Sequence, residues 1–283
     1  MSVDHYENFP VASWLCPPAL RPAVRAIYWF ARTADDIADE GDAPAAQRQA
    51  DLRAFRDDLL AAAAGRARSP RWRDVFDPLA EVIARHGLPL PPLLALLDAF
   101  EEDTRHVGYA DRPALLAYCA RSANPVGRLL LHLHRIDDPV LEARSDAVCS
   151  ALQLINFWQD LSRDLPHGRV YVPRADARAH GTSAEACLAA PESPAARALV
   201  RDLCDWARTL MLEGAPIAPA VPGRVGWELR FVVQGGLRIL EKIAAMNFAT
   251  FARRPRLRPL DHALVALRAL GMRADPSVGP EVA

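Results

Sequence analysis

Apolar residues recur at every third or fourth position along nearly the whole chain, and no stretch shows the strict alternation of a β-strand. This spacing is the period of amphipathic and buried α-helices. The pattern therefore predicts an all-α fold. The predicted helices cover residues 18–40, 44–64, 72–87, 91–107, 112–135, 139–164, 192–214, 224–253 and 259–271.

Prolines and acidic residues mark several predicted helix starts. Asp111 lies two residues before Pro113, and Asp138 lies immediately before Pro139. Each aspartate is therefore expected to cap the helix that follows. Residues 165–191 are predicted to be a loop with little helix, and 274–283 a disordered tail. No linker or repeat divides the rest, so we expect one domain over residues 1–273.

Two of these helices carry a polar stripe on an otherwise apolar surface. The stripes span roughly 60° and roughly 80° of helix circumference, at about 100° per residue. A helix that is apolar nearly all round lies inside a bundle, where polar groups must be paired or line a cavity. The two stripes are Tyr28, Arg32, Asp35 and Asp39, and Gln153, Asn156, Asp160 and Asp164.

Carboxylates one helical turn apart, such as Asp35 and Asp39, lie about 6 Å from each other along the helix axis. One such motif is common on a solvated helix face, but two buried motifs need a cation to offset their repulsion. Hard oxygen ligands favour Mg²⁺ or Mn²⁺, and the guanidinium of Arg32 suits phosphate oxygens. The stripes suggest two helices that hold a diphosphate through Mg²⁺ beside an apolar cavity.

Composition removes several classes of protein. The 283 residues include 34 Lys and Arg against 35 Asp and Glu, which argues against a nucleic-acid-binding protein. No run of about 18–20 apolar residues predicts a membrane span, and the acidic, polar N-terminus is unlike a secretory signal. Five cysteines without a CxxC pair argue against a disulfide framework or a zinc site. We expect a cytoplasmic enzyme.

The segments ARTADDIADE and LQLINFWQDLSRD together resemble the two aspartate-rich motifs of the squalene/phytoene synthase family. The resemblance extends over roughly residues 5–255 and includes LRPAVRAIYWFAR, LLAYCARSANPVG and GRVYVP. It implies a single-domain isoprenoid-synthase helical bundle with a central cavity, and a class I terpenoid synthase activity. Within the family, YENFPVAS and NFWQD are most similar to the branch that forms hydroxysqualene.

The resemblance also implies roles for individual residues. Mg²⁺ would be bound by Asp35, Asp39, Asn156 and Asp160, with Asp164 nearby. Diphosphate contacts would come from Tyr28, Arg32 and Gln153. The cavity for the prenyl chain would be lined by Tyr118, Ala123 and Gly127. Asn8 and Phe9, from an N-terminal flap, would cover it.

Departures from the family pattern bear on the reaction. Gln159 stands where condensing members usually carry an arginine, which leaves less positive charge for a second diphosphate. We therefore include Gln159 among the catalytic candidates. Gln159 and Asn124 are the two candidates for the residue that positions a water molecule, with local helix capping as the alternative role. Pro125 within SANPVG is expected to kink the predicted helix 112–135. Gly236 stands where a late helix usually has a tyrosine.

These departures favour a substrate with one diphosphate. The leading hypothesis is ionisation of presqualene diphosphate, rearrangement and capture by water to give hydroxysqualene, which is carbon–oxygen lyase chemistry in squalene and hopanoid biosynthesis. Mg²⁺ or Mn²⁺ is expected, and NADPH is not. The alternatives are a prenyltransferase that makes presqualene diphosphate, dehydrosqualene or phytoene, and a non-catalytic assembly or lipid-binding relative.

The expected partners are small molecules and neighbouring enzymes. The substrate is a prenyl diphosphate, supplied by a presqualene diphosphate synthase and passed on to a reductase. Because substrate and product are apolar, peripheral association with the inner face of the membrane is also expected. The basic run ARRPRLR at 252–258 is interpreted as a solvated turn, with contact to membrane phospholipid or to product-side partners as the alternatives.

Overall fold

The computed structural model describes residues 15–105 and 108–273. Its regular elements are helices throughout this part of the chain, which confirms the predicted all-α class. The helices are α1 (Arg21–Asp39), α2 (Ala45–Ala63), α3 (Arg73–His86), α4 (Leu90–Asp103), α5 (Arg112–Ser122), α6 (Asn124–Leu133), α7 (Pro139–Asp164), α8 (Arg174–Ala179), α9 (Ala184–Ala189), α10 (Pro194–Gly214), α11 (Ile217–Ala220), α12 (Gly223–Ala245) and α13 (Pro259–Gly271). The predicted tail at 274–283 lies outside the described residues.

The described chain forms two compact units. The first comprises residues 15–105 and 120–142, and the second comprises 108–119 and 143–273. In the first unit α1 packs on α2, α3 and α4. Its core includes three mutually packed rings, Phe30, Phe55 and Phe76, with Phe55 and Phe76 centroids 4.6 Å apart.

The second unit is organised around the long helix α7 and the pair α12–α13. Twelve residues of α7 are buried, and α12 packs against α10, α11 and α13. Gly236 of α12 lies against α7 and α10: a Cβ built there would come within 2.8 Å of Met211 Cε and 3.2 Å of side-chain carbons of Ile155 and Leu152. The missing side chain therefore lets these helices approach closely.

Both predicted aspartate caps are present. The Asp111 carboxylate accepts a hydrogen bond from Ala114 N–H at 2.9 Å, at the start of α5. Asp138 accepts from Val140 N–H at 2.8 Å and Leu141 N–H at 3.2 Å, at the start of α7. These bonds satisfy amide groups that have no partner within the helix.

The prediction of one kinked helix over residues 112–135 is wrong, because the chain forms two separate helices there. The chain leaves the helix at Ala123 and re-enters it at Asn124, so Pro125 lies in the first turn of α6. A proline is favourable there because the first-turn amides need no helical partner. The single Pro125 thus separates α5 from α6.

The predicted helix 224–253 ends early, at Ala245. Asn247 and Phe248 adopt left-handed conformations with φ of 54° and 57°, and Phe248 N–H donates back to Ile243 O at 3.0 Å. Such a turn stops a helix and redirects the chain. Residues 165–191 also contain the short helices α8 and α9, where little helix was expected.

Candidate active site

The four polar residues predicted on the first stripe do share one face of α1. The opposite face is buried and consists of Ala23, Ala26, Ile27, Phe30, Ala34 and Ala38. Tyr28 is half-buried and makes an edge-to-face contact with Trp29, with ring centroids 5.3 Å apart. Asp39 is exposed at the end of the helix. The amphipathic pattern of α1 therefore turns the acidic motif outward from the aromatic core.

Arg32 lies at the centre of the acidic motif. Its guanidinium nitrogens are 3.1 Å from Asp35 Oδ2, 2.7 Å from Asp36 Oδ1 and 2.7 Å from Glu40 Oε1. The predicted diphosphate-binding arginine thus compensates the charge of three carboxylates. Asp36 and Glu40 were not predicted, although their spacing from Arg32, one and two helical turns, signals the contact.

Two predicted prenyl-contacting residues lie at the start of α6, in the same unit as α1. Ala123 is the residue at the helix break and Gly127 lies one turn later. Both are buried, as is Asn124 between them. The break at Ala123 therefore places small side chains in a buried part of the first unit.

The second stripe is the most distinct feature of α7. From Val148 to Leu161 every residue is buried except Gln153, Asn156 and Asp160, which are partly exposed. Asp164, one turn beyond Asp160, is also partly exposed, its side chain at 17%. The sequence prediction of a polar stripe on a buried helix is confirmed. We call Asn156, Asp160 and Asp164 the second half-site, and Arg32, Asp35 and Asp39 the first, each described by itself as one half of the metal site that the sequence predicts.

Arginines compensate the carboxylates of the second half-site too. Arg254 binds Asp160 through two nitrogens, with Nη2 3.1 Å from Oδ2 and Nε against Oδ1. The Arg254 side chain is only 18% exposed. Arg169 Nε lies 3.8 Å from Asp164 Oδ1. The interpretation of 252–258 as a solvated turn is therefore wrong for Arg254, which the sequence analysis missed because its partner lies 94 residues away.

Gln159 lies about 100° around α7 from Asp160 and is 3% exposed. Its Nε2 donates to Pro255 O at 2.9 Å, and its Oε1 accepts no hydrogen bond from the described residues. Ser162 N–H also donates to Thr250 O at 3.1 Å. Gln159 thus helps join α7 to the segment after α12, and its predicted part in positioning water stays a prediction.

Four aromatic rings pack together beside the second stripe. Phe157 stacks on Tyr171 with centroids 3.7 Å apart and an angle of 7° between the ring planes. Tyr118, predicted to line the prenyl site, lies 6.3 Å from Phe157 and 5.4 Å from Tyr109. We call Tyr109, Tyr118, Phe157 and Tyr171 the aromatic cluster. Tyr171 lies within the GRVYVP motif, but nothing in the sequence pattern indicated Tyr109.

The neighbouring thiol is chemically inert at neutral pH. Burial raises the pKa of Cys119, next to Tyr118 on α5, to about 12. A neutral thiol is a poor nucleophile, so it adds no covalent chemistry here. All five cysteines are buried and free.

The donor chemistry of the half-sites fits Mg²⁺ bound together with a phosphate. Within residues 15–105 and 108–273 no three His, Cys, Asp or Glu side chains meet in one metal-binding group. Each half-site instead offers carboxylate oxygens one helical turn apart. Mg²⁺ usually takes one or two carboxylates and completes its shell with water and substrate phosphate oxygens. Asn8 and Phe9, the predicted flap residues, lie outside the described part of the chain.

Comparison with known proteins adds independent evidence. The chain is 34% identical to a hydroxysqualene synthase of Sinorhizobium fredii over 85% of its own length and 79% of that protein. It is 32% identical to a hydroxysqualene synthase of Rhodopseudomonas palustris over 93% of its length and 88% of that protein. Proteins named presqualene diphosphate synthase and phytoene synthase are also among its relatives.

A solved structure gives the same result in three dimensions. The squalene synthase HpnC from Alicyclobacillus acidocaldarius superposes with a TM-score of 0.78 at 37% identity, covering 86% of this chain and 90% of that one. The family model for squalene/phytoene synthase matches residues 3–261, which includes both aspartate-rich motifs. The chain therefore belongs to the squalene/phytoene synthase family.

Proposed function

We propose that this protein converts presqualene diphosphate and water into hydroxysqualene and diphosphate, within squalene and hopanoid biosynthesis. The observation that carries the proposal is the partly exposed stripe of Gln153, Asn156 and Asp160 beside the aromatic cluster, on a helix otherwise buried around it. Polar groups for a diphosphate then lie beside rings for a carbocation, one of which, Phe157, is on the same helix. The hydroxysqualene synthases among the relatives support the same reaction.

In this proposal Asp35, Asp39, Asn156 and Asp160 hold Mg²⁺ or Mn²⁺, and Asp164 supports the second half-site. The metal, when bound, neutralises the diphosphate and makes it a better leaving group. Arg32 and Arg254 already offset part of the acidic charge, and each holds a carboxylate of its half-site in place. Tyr28, Arg32 and Gln153 contact the diphosphate oxygens.

The chemical step breaks the carbon–oxygen bond of the substrate, and the bonding electrons leave with the diphosphate. The cyclopropylcarbinyl cation rearranges next to the aromatic cluster, whose ring faces stabilise positive charge. Water then adds its oxygen to the cation and loses one proton. No hydride enters the balance, so NADPH takes no part.

A condensing prenyltransferase is the second candidate. The relatives named presqualene diphosphate synthase and phytoene synthase favour it. Against it stands Gln159, an uncharged and buried residue where condensing members usually carry an arginine. A non-catalytic relative is the third candidate, and the retained carboxylates of both half-sites count against it.

The deciding experiment is a product assay. Purified protein is incubated with Mg²⁺ and either presqualene diphosphate or farnesyl diphosphate, without NADPH, and the extracts are compared. We expect hydroxysqualene from the first substrate and no product from the second. Asp35→Asn should abolish product, whereas Asp42→Asn, an exposed acid outside the motif, should not. A C30 or C40 product from farnesyl or geranylgeranyl diphosphate would contradict the proposal, and silence with every substrate would favour the non-catalytic relative.

We also propose a cytoplasmic protein at the inner face of the membrane, fed by a presqualene diphosphate synthase and followed by a reductase. No helix in the described part of the chain is both long enough and apolar enough to cross a bilayer. Peripheral attachment would serve a substrate and a product that partition into lipid.

A further inference from the structure

The three most exposed large apolar side chains of the described residues all lie on α13. Leu260 is 86% exposed, Leu267 66% and Leu270 67%. At about 100° per residue they fall within roughly 80° of the helix circumference. Single exposed leucines are ordinary, but a stripe of them marks a binding surface. We call Leu260, Leu267 and Leu270 the leucine face.

Ion pairs fix the direction of this face. Asp261 is buried and accepts hydrogen bonds from Arg238 Nε at 2.8 Å and Lys242 Nζ at 2.6 Å, both on α12. Arg268 of α13 pairs with Glu241 of α12. The inner face of α13, with Asp261, Val265 and Ala269 buried, is therefore held against the protein, and its leucines face outward. An ordinary surface helix presents polar side chains on that outer face.

Basic residues adjoin both ends of the leucine face. Residues 251–273 contain six arginines and one acidic residue, Asp261. Arg254 and Arg268 are used in ion pairs within the protein. The other four are exposed: Arg253, Arg256, Arg258 and Arg273. Because Asp261 is also neutralised within the protein, the outward charge of this region is positive.

We propose that α13 and the preceding segment 253–258 form a docking surface for an anionic phospholipid bilayer. An outward apolar stripe flanked by arginines matches a membrane interface, where leucines enter the acyl boundary and cations meet lipid phosphates. A second copy of this chain fits less well, because the same four exposed arginines would be brought together across a symmetric contact.

The chain segment before α13 connects this surface directly to the second half-site. Segment 253–258 contains Arg254, which binds Asp160, and Pro255, whose carbonyl accepts from Gln159. A membrane held at α13 would therefore lie one short segment from residues proposed to bind the diphosphate. This last step rests on the proposed function, whereas the docking surface rests on the exposed residues alone.

The experiment is co-sedimentation of the full-length protein with vesicles of phosphatidylcholine, alone or mixed with phosphatidylglycerol, at low and high salt. We expect binding to the mixed vesicles that weakens with salt. Replacing Leu260, Leu267 and Leu270 together by serine should weaken partitioning about tenfold or more. Arg253→Gln with Arg256→Gln should reduce binding to the mixed vesicles and make it less dependent on salt, since two of the four exposed arginines are removed.

Matched controls separate the surface from general hydrophobicity and charge. Leu212→Ser with Val140→Ser removes apolar side chains that are about half exposed elsewhere. Arg66→Gln with Arg224→Gln removes two exposed cations elsewhere. Neither pair should change vesicle binding. Equal partitioning of wild type and the triple serine variant would overturn the proposal, as would light scattering that shows a dimer lost in that variant with vesicle binding unchanged.

The reaction provides a separate readout. In detergent micelles, where no bilayer delivers substrate, the triple serine variant should form product at the wild-type rate. Loss of vesicle binding with this activity retained supports the docking surface. Wild-type protein that forms no product yet binds vesicles through the leucine face would refute the proposed function and leave the docking surface standing.

Discussion

Arg254 and Asp160 form a two-nitrogen ion pair between the segment after α12 and the second aspartate-rich motif of α7. Both side chains are largely buried, at 18% and 13% exposure. The pair offers Asp160 a positive partner that competes with any divalent cation for the same oxygens. Arg32 has the same relation to Asp35 on α1, at 3.1 Å.

Arg254→Gln should strengthen divalent-cation binding in the absence of diphosphate. Removing the arginine frees the Asp160 oxygens, and Coulomb competition of about 1 kcal/mol predicts roughly fivefold tighter binding. Mn²⁺ titration followed by electron paramagnetic resonance measures this directly. The control is Arg253→Gln, an exposed neighbour with the same change in charge. Equal affinity in the two variants would show that Arg254 does not compete for Asp160.

Gln159→Arg should destabilise the protein rather than create a condensing enzyme. The position is 3% exposed and its amide donates to Pro255 O, so an arginine there would be buried without a carboxylate partner. We expect a loss of at least about 3 kcal/mol in the free energy of unfolding. Gln159→Met, which loses only the hydrogen bond, should cost about 1–2 kcal/mol. A stable Gln159→Arg protein that condensed farnesyl diphosphate would instead restore this position to the active site.

The helices and the two stripes were accessible from the sequence because both follow from local periodicity. In α7 the partly exposed positions Gln153, Asn156 and Asp160 interrupt a continuous buried run, which a helical projection predicts without knowledge of the fold. The caps at Asp111 and Asp138 are equally local, since each bonds amides within three residues. Local geometry fixes these features.

The missed features depend on contacts between distant residues. In the sequence, Arg254 looks like part of a basic turn. In the structure, α12 ends at Ala245 and the left-handed residues Asn247 and Phe248 redirect the chain towards α7, which brings Arg254 to Asp160. Tyr109 joins the aromatic cluster only through its packing on Tyr118 and Tyr171. The outward leucine face of α13 likewise depends on ion pairs to α12, which periodicity alone does not reveal.

Gly236→Ala should destabilise the protein while Gly235→Ala should not. A Cβ at Gly236 would meet Met211 and α7 side chains at 2.8–3.2 Å, whereas a Cβ at Gly235 meets nothing within 4 Å. Met211 is fully buried, so its side chain has little room to move away, and overpacking at Gly236 should cost about 2–3 kcal/mol. The helix-propensity gain of up to about 1 kcal/mol applies to both variants, which leaves Gly236→Ala a net loss of about 1–2 kcal/mol. Urea unfolding of both variants gives the comparison. Equal stabilisation of the two would show that α12 moves away from α7 and α10 at little cost.

Asp261 should give the protein a stability that is lost in acid. The hydrogen bond from Lys242, with those from Arg258 N–H and Arg238, lowers the pKa of Asp261 well below its usual range despite burial. A carboxyl with a depressed folded-state pKa stabilises the fold above its unfolded pKa of about 3.9 and loses that contribution as pH falls below it. Asp261→Asn should therefore cost about 3 kcal/mol at neutral pH, because it removes the carboxylate that binds the partly buried Lys242 and leaves Arg238 with Glu241 alone. The difference in the free energy of unfolding between wild type and variant should narrow as pH falls from about 4.

The control is Asp77→Asn, which breaks the more exposed pair with Arg68 and should cost no more than about 1 kcal/mol. If the difference in the free energy of unfolding between wild type and Asp261→Asn stays constant down to about pH 3, Asp261 does not take up a proton on unfolding. Packing rather than charge would then hold α13 on α12.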